Sequence, residues 1–118
     1  MPAEEYIRSL QQTLDKVNLG DIDDLIGWID QVAARDGQIF VAGNGGSAAT
    51  ASHLAMDLGK LQYNNNRGRI RIYSLNDNSP WMTAISNDYS YTEVYSEQLL
   101  NFANSDDLFI AISTSGNS

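Results

Sequence analysis

The stretch FVAGNGGSAATASHLAMDLGK, residues 40–60, carries the strongest structural signal in the sequence. An apolar run gives way to a glycine-rich segment at 43–47, and good helix formers follow from Ala48. This order predicts a strand over 38–42, a tight turn, and a helix over 48–60. Backbone N–H groups in such a turn lie at a helix N-terminus, where anions bind well. The stretch therefore predicts a phosphate site, and the phosphate could belong to a sugar or to a nucleotide.

Two helices are predicted before this strand. Apolar residues at steps of three and four form a seam along one side of the first helix, which would need a partner. The seam residues are Tyr6, Ile7, Leu10, Leu14 and Val17. Gly20 and Asp21 then supply a break and an N-cap for a second amphipathic helix that ends near Gly37. Its apolar residues are Ile22, Leu25, Ile26, Ile29, Val32 and Ala33.

Strands and helices alternate in the rest of the chain. After a loop over 61–68, residues 69–73 alternate in polarity and residues 108–112 form a short apolar run, so both are predicted strands. Ser79 and Pro80 fit an N-cap and first helical position, which predicts a short helix through about Ile85; residues 92–103 form another. The order α-α-β-α-β-α-α-β predicts an α/β fold, a three-layer sandwich with a parallel sheet.

Composition limits the possible functions. The net charge of -8 at pH 7 argues against nucleic-acid binding, and Arg67, Arg69 and Arg71 are more typical of a solvated strand face. The sequence has no cysteine, which excludes disulfides and thiolate metal sites. It also lacks the roughly 18-residue apolar run of a membrane span and the order of a signal peptide. We expect one cytoplasmic domain over 1–118, with a helical segment at 1–36 and an α/β core at 37–118.

Two polar loops follow predicted strands, one at 43–47 and one at 113–118. Parallel sheets bind ligands beyond the carboxyl ends of their strands, so both loops should face one pocket. Their hydroxyls and backbone amides could enclose a phosphate without a lysine. These hydroxyls belong to Ser47, Ser113, Thr114, Ser115 and Ser118.

Other interpretations of these loops stay open. Glycine and serine are common in ordinary strand-to-helix turns. Gly43, Gly45 and Ala48 also satisfy the looser dinucleotide fingerprint, with Asp77 as a late candidate for the ribose. The second Ser-rich loop and the two leading helices are not part of that design.

His53 and Asp57 are four residues apart, so on a helix both side chains lie on one face. They could form half of a metal site or a simple hydrogen-bonded pair. Their position shortly after the glycine-rich loop favours a functional role. Asn87 and Asp88 fit a plain helix C-terminus unless their loop also reaches the pocket.

The third predicted strand runs into a Ser/Thr/Gly loop at the end of the sequence. Such a loop normally leads into a helix that covers the sheet, so we expect this sequence to be part of a longer chain.

Three segments, AGNGGSAATASHLAMDL, AISNDYSYTEVYSEQL and AISTSGNS, resemble the sugar isomerase (SIS) domain, and within it the D-sedoheptulose-7-phosphate isomerases. The resemblance covers nearly the whole chain. It implies a flavodoxin-like, five-stranded parallel sheet, of which this sequence would hold the first three strands. It also implies homotetramers that form partly through the N-terminal helices, which would give the seam its partner.

The resemblance also assigns residues. It implies substrate contacts by Asn44, Gly45, Gly46, Ser47, Asn87 and Asp88, and phosphate contacts by Ser113, Thr114, Ser115 and Ser118. His53 matches a zinc ligand. Asp57 stands where the family usually has a glutamate that is both zinc ligand and catalytic base. The shorter side chain draws the carboxylate back by roughly 1.5 Å, which is enough to alter its reach.

The activity implied is aldose-ketose isomerisation of a phosphosugar through an enediol, most simply sedoheptulose 7-phosphate to D-glycero-D-manno-heptose 7-phosphate. Two further zinc ligands of the family, a glutamine and a histidine, would lie beyond residue 118, so residues 1–118 alone should be inactive. The alternative is a non-catalytic SIS module that binds phosphosugars or a protein partner, as in regulators of replication initiation. Retention of a carboxylate at Asp57 favours the enzyme.

Overall fold

β1 (Gln38–Gly43) is the central strand of a parallel three-stranded sheet. β2 (Arg71–Ser74) lies on one side and β3 (Leu108–Ile112) on the other, in the order β2-β1-β3. These positions come from a computed structural model that describes residues 2–61 and 69–118. Phe40 pairs with Tyr73 in β2 and with Phe109 in β3, so all three strands run the same way. The predicted parallel sheet is confirmed.

The described part of the chain forms five α-helices and one 3₁₀ turn, in the predicted order except that the turn precedes the last helix. The helices are α1 (Ala3–Leu14), α2 (Leu19–Ala34), α3 (Gly46–Lys60), α4 (Ser79–Asp88) and α5 (Ser96–Phe102). The 3₁₀ turn, Tyr91–Glu93, occupies the start of the helix predicted over 92–103. None of these helices combines the length and apolar content needed to cross a membrane.

Two predicted helix starts were wrong, and the reason is the same in both. The Asn18 side chain caps α2 by accepting a 3.0 Å hydrogen bond from the Gly20 N–H, so Asp21 lies inside the first turn. Asn78 likewise caps α4 through the Trp81 N–H at 3.2 Å, which makes Ser79 a helical residue. Asparagine is among the best N-cap residues, and each one precedes the residue chosen from the sequence.

The predicted second strand also shifts. It runs over Arg71–Ser74 instead of 69–73, and Arg69 forms only an isolated bridge. Arg67, with most of the loop predicted over 61–68, lies outside the described residues.

Helices cover both faces of the sheet. On one face, Ile39 and Val41 pack with Val32 of α2 and Ala51 of α3. On the other face, the cluster consists of Phe40, Ala42 and Leu75 with Tyr95, Leu99 and Ala103. The predicted three-layer sandwich is confirmed, and the C-terminal half of α2 belongs to its core.

The predicted apolar seam is not covered by any residue within 2–61 and 69–118 that would bury it. No residue of α1 is buried, and the five seam side chains are between 40% and 60% exposed. Leu19, Ile22, Ile26 and Trp28 extend the exposed apolar surface onto α2.

Asp107 holds the amino ends of β1 and β3 together. Its Oδ1 accepts a 2.8 Å hydrogen bond from the Gln38 N–H, and its Oδ2 accepts a 2.7 Å hydrogen bond from the Asn104 N–H. Burial acts to raise the pKa of the Asp107 carboxyl, but these hydrogen bonds and the charge of Arg71 outweigh it. The pKa of Asp107 is therefore held below its usual value.

The lowered pKa predicts acid sensitivity. Because the folded state favours the carboxylate, Asp107 contributes its full stabilisation above the unfolded pKa of about 3.9 and loses it as pH falls through the lower folded value. We expect Asp107→Asn to be less stable than wild type at pH 6 and to lose less stability on acidification to pH 3, as measured by urea denaturation. Asp106→Asn, one residue away, is the control and should follow wild type. The assignment would be contradicted if Asp107→Asn lost as much stability as wild type between pH 6 and pH 3.

Gly43 ends β1 at a point of very close approach. A Cβ built on Gly43 would lie 2.7 Å from the carbonyl carbon and oxygen of Ser47. These are backbone atoms, so they cannot move aside without shifting the first turn of α3. Glycine at this position lets the strand and helix pack together.

We therefore expect Gly43→Ala to lower the free energy of unfolding by about 1–3 kcal/mol, the usual cost of overpacking. Gly27→Ala is the matched control, since its new Cβ would meet no atom within 4 Å in the interior of α2. That change should stabilise by about 0.5–1 kcal/mol through helix propensity. Chemical denaturation of both variants tests the packing argument, which fails if Gly43→Ala is as stable as wild type.

Candidate functional site

The loops that follow β1 and β3 meet at one edge of the sheet. Gly43, the last residue of β1, pairs in register with Ile112, the last residue of β3. Just beyond this pair, Ser47 Oγ and Thr114 Oγ1 lie 3.3 Å apart, within hydrogen-bonding distance. The two polar loops therefore converge, as the sequence predicted.

A cleft of about 430 Å³ opens beside this junction, on the face of the sheet that α5 partly covers. Its floor includes Ala42, Phe109 and Ala111, which lie side by side on β1 and β3. Its polar lining comes from Asn44, Tyr91, Thr92, Tyr95, Ser113 and Ser118. The cleft thus offers hydroxyl and amide groups above an apolar base, which is a common composition for a small-molecule site.

The loop after β3 folds back on itself. Ser113 Oγ accepts a 2.9 Å hydrogen bond from the Gly116 N–H and lies 3.1 Å from Ser118 Oγ. Gly116 has a φ of 74°, which favours glycine. Ser115 Oγ accepts from the Asn117 N–H at 3.1 Å and does not line the cleft. The turn therefore brings Ser113 and Ser118, five residues apart, to one place.

The loop after β1 leaves open space at its tip. Gly45 has a φ of 56° and a ψ of -120°, a conformation that requires glycine. A Cβ on Gly45 or Gly46 would meet no atom within 4 Å. The first turn of α3 contains no acidic residue, so no carboxylate there competes with an anion for the helix N-terminus. Shape and electrostatics at this loop are compatible with a phosphate.

His53 and Asp57 lie together on the solvent-facing side of α3. His53 Nε2 is 3.1 Å from Asp57 Oδ2, and Lys60 Nζ is 3.5 Å from Asp57 Oδ1. Their side chains are 68% and 48% exposed, and neither lines the cleft. An imidazole nitrogen and a carboxylate oxygen are suitable zinc ligands, but a zinc site needs three or four ligands. Within residues 2–61 and 69–118, no group of three His, Cys, Asp or Glu residues could hold a metal.

Asn87 and Asp88 are the last two residues of α4. The Asn87 side-chain amide donates to Asp88 Oδ1 at 3.1 Å, and both residues are exposed. They do not line the cleft, whose wall on that side is formed by the following 3₁₀ turn. Their predicted contact with a substrate stays a prediction.

The sequence matches the family model of the SIS domain over residues 5–118. The chain belongs to the SIS domain family. It is 37% identical to a probable phosphoheptose isomerase of Thermoplasma volcanium, over an alignment that covers 100% of this chain and 60% of that protein.

Solved structures agree with this assignment of the SIS domain. A phosphoheptose isomerase from Neisseria gonorrhoeae superposes with a TM-score of 0.85 at 30% identity, covering 98% of this chain and 60% of the other. One from Francisella tularensis, at 23% identity, gives 0.83 over 100% of this chain and 65% of the other, which supports the fold alone. The chain spans 60% of the length of the curated relative named above.

The SIS domain fold gathers some of the predicted site residues and separates others. Asn44, Ser113 and Ser118 line the cleft, and Ser47 and Thr114 meet beside it. The residues predicted to bind substrate or metal that lie outside the cleft lining are Gly45, Gly46, His53, Asp57, Asn87, Asp88 and Ser115.

Three residues at the cleft were not predicted from the sequence as site residues. Asn76, just after β2, donates from Nδ2 to the Gly43 carbonyl at 2.8 Å and accepts from the Gly43 N–H at 3.0 Å. The hydroxyls of Tyr91 and Tyr95 lie 2.5 and 3.0 Å from Asn44 Oδ1. Two signals could have found them: Asn76 follows a strand that ends at the same sheet edge, and the tyrosines are spaced by four residues.

Proposed function

We propose that the protein carrying this chain is a phosphosugar aldose-ketose isomerase, and that it converts sedoheptulose 7-phosphate to D-glycero-D-manno-heptose 7-phosphate. The observation that carries the proposal is the convergence of the two hydroxyl-bearing loops at one cleft. Membership of the SIS domain family and the phosphoheptose isomerase names of its relatives support it.

The phosphate would bind between the two loops. Ser113, Thr114 and Ser118 offer hydroxyl donors, and the first turn of α3 offers backbone N–H groups on the opposite side. Hydrogen bonds to a charged oxygen are stronger than those between neutral groups, so several neutral donors can hold a phosphate without a lysine. This arrangement suits a chain whose net charge is -8.

The isomerisation needs a group that moves one proton between neighbouring carbons. A carboxylate takes a proton from C1 of the ketose to form an enediol and returns it to C2, while O1 loses a proton and O2 gains one. We assign this role to Asp57, following the family resemblance. The His53 imidazole lies 3.1 Å from Asp57 Oδ2, so the two side chains are close together on α3.

We also propose zinc as the cofactor, with His53 and Asp57 among the residues that hold it. When bound, zinc would act as a Lewis acid towards a sugar oxygen. The donor types of this pair fit zinc, and further ligands would have to complete the site.

Homo-oligomers, with a tetramer as the expected form, would cover the exposed seam of α1, because exposed apolar surface of this extent usually marks an interface. The cytoplasm is the proposed location of the protein.

The activity is tested with the protein that carries this chain, supplied with zinc and sedoheptulose 7-phosphate, by detecting the aldoheptose phosphate. We expect isomerisation, and an increase of about tenfold in KM for Ser113→Ala and for Thr114→Val, since each removes a phosphate hydrogen bond. Thr83→Val is the matched control, because Thr83 lies on α4 and its hydroxyl bonds only to backbone carbonyls of its own helix. Phosphosugar binding without isomerisation would instead support the non-catalytic SIS module.

The role of Asp57 has its own test. Asp57→Asn keeps the size of the side chain but removes the base, so we expect kcat to fall at least 100-fold. Bound zinc, measured by atomic absorption, should also fall in Asp57→Asn and in His53→Ala. Asp57→Glu restores the residue usual in the family and should retain activity. Full activity and full zinc content in Asp57→Asn would show that another group is the base.

A further inference from the structure

The carboxyl end of β1 is held by side chains that come from β2 and α5. Asn76 forms two opposed hydrogen bonds with Gly43, one to its N–H and one to its carbonyl. This pairing fixes the orientation of the Asn76 amide, because Oδ1 must accept and Nδ2 must donate. The Nδ2 group then also donates to the Tyr95 hydroxyl at 3.0 Å.

The hydrogen-bond partners of the Tyr95 hydroxyl determine where its single proton points. The Nδ2 group of Asn76 occupies one acceptor site of the Tyr95 oxygen. The Gly43 carbonyl, which can only accept, lies 2.6 Å from the same oxygen. The Tyr95 hydroxyl thus lies within donating distance of two acceptors, the Gly43 carbonyl and Asn44 Oδ1 at 3.0 Å, and its proton is shared between them. Burial raises the pKa of Tyr95, so the hydroxyl keeps its proton at neutral pH.

Tyr91 is a second hydroxyl donor to Asn44. Its hydroxyl lies 2.5 Å from Asn44 Oδ1, and Ser90 supports the 3₁₀ turn that carries it by accepting from the Thr92 N–H at 3.3 Å. With Oδ1 turned towards the two tyrosines, Nδ2 of Asn44 is the amide group left to donate elsewhere. Asn44 is exposed and lines the cleft.

We propose that Tyr91 and Tyr95 are positioning residues that orient the Asn44 amide so that its Nδ2 donates to an oxygen of the bound phosphosugar. The identity of that ligand rests on the proposed function, whereas the orientation of Asn44 rests on the hydrogen bonds at the end of β1. The tyrosines act through Asn44, so their contribution to binding disappears when Asn44 is absent.

The kinetic test is a double-mutant cycle on the protein that carries this chain. We expect Tyr91→Phe and Tyr95→Phe each to raise KM for sedoheptulose 7-phosphate about three- to tenfold, with kcat changed less than about twofold. In an Asn44→Ala background, neither change should raise KM further. Tyr89→Phe is the matched control, because Tyr89 is 68% exposed and lies two residues from Tyr91 without lining the cleft. Additive effects in the cycle would overturn the proposal.

A second measurement does not depend on activity. With ¹⁵N-labelled asparagine, the side-chain amide signal of Asn44 is identified by its loss in Asn44→Ala. We expect this signal to shift in Tyr91→Phe and in Tyr95→Phe, and to stay in place in Tyr89→Phe. An Asn44 signal unmoved in both tyrosine variants would overturn the positioning role even in an active enzyme. A shifted signal in a protein without isomerase activity would support the positioning role and reject the proposed function.

Discussion

The site depends on the placement of β1 between two parallel partners. Because β2 and β3 both run in the direction of β1, the chain leaves all three strands at the same edge of the sheet. The contact between Gly43 and the backbone of Ser47 then turns the chain directly into α3. Every polar group of the cleft is attached to this edge or to the segment that packs on it. A change that displaces the end of β1 therefore displaces the whole site.

Side chains take the place of a strand partner at the end of β1. β2 ends at Ser74, and Asn76 continues the hydrogen bonding by pairing with both backbone groups of Gly43. A buried carbonyl or N–H without a partner is costly, so these bonds stabilise the turn as well as orient it. The adjoining loops can then present neutral donors at fixed positions. In the proposed function, such donors would compensate for the unfavourable net charge of the chain, because salt screens distant charges but not groups in direct contact.

The sequence predicted the elements whose signals are local. The apolar run of β1, the glycines after it and the helix formers of α3 each lie within a short segment, and the strand, the turn and the helix were confirmed. The predicted caps at Asp21 and Ser79 were wrong, because several polar residues near each helix start could cap it and the observed caps are Asn18 and Asn78. Asn76 and Tyr95 were missed because their partners lie more than 30 residues away along the chain. Such contacts form only in the folded protein, so a local pattern can point to these residues but not to their partners.

The groups assigned to phosphate binding and to proton transfer lie on different elements of the chain. The hydroxyl groups line the cleft on the α5 side of the sheet, whereas His53 and Asp57 lie on the exposed side of α3. Phosphate binding and proton transfer are thus carried by separate elements, which can change independently. A protein that kept the loops but lost the carboxylate would still bind a phosphosugar. Asp57 keeps a carboxylate on the exposed face of α3, and for this reason we propose an isomerase and not the non-catalytic SIS module.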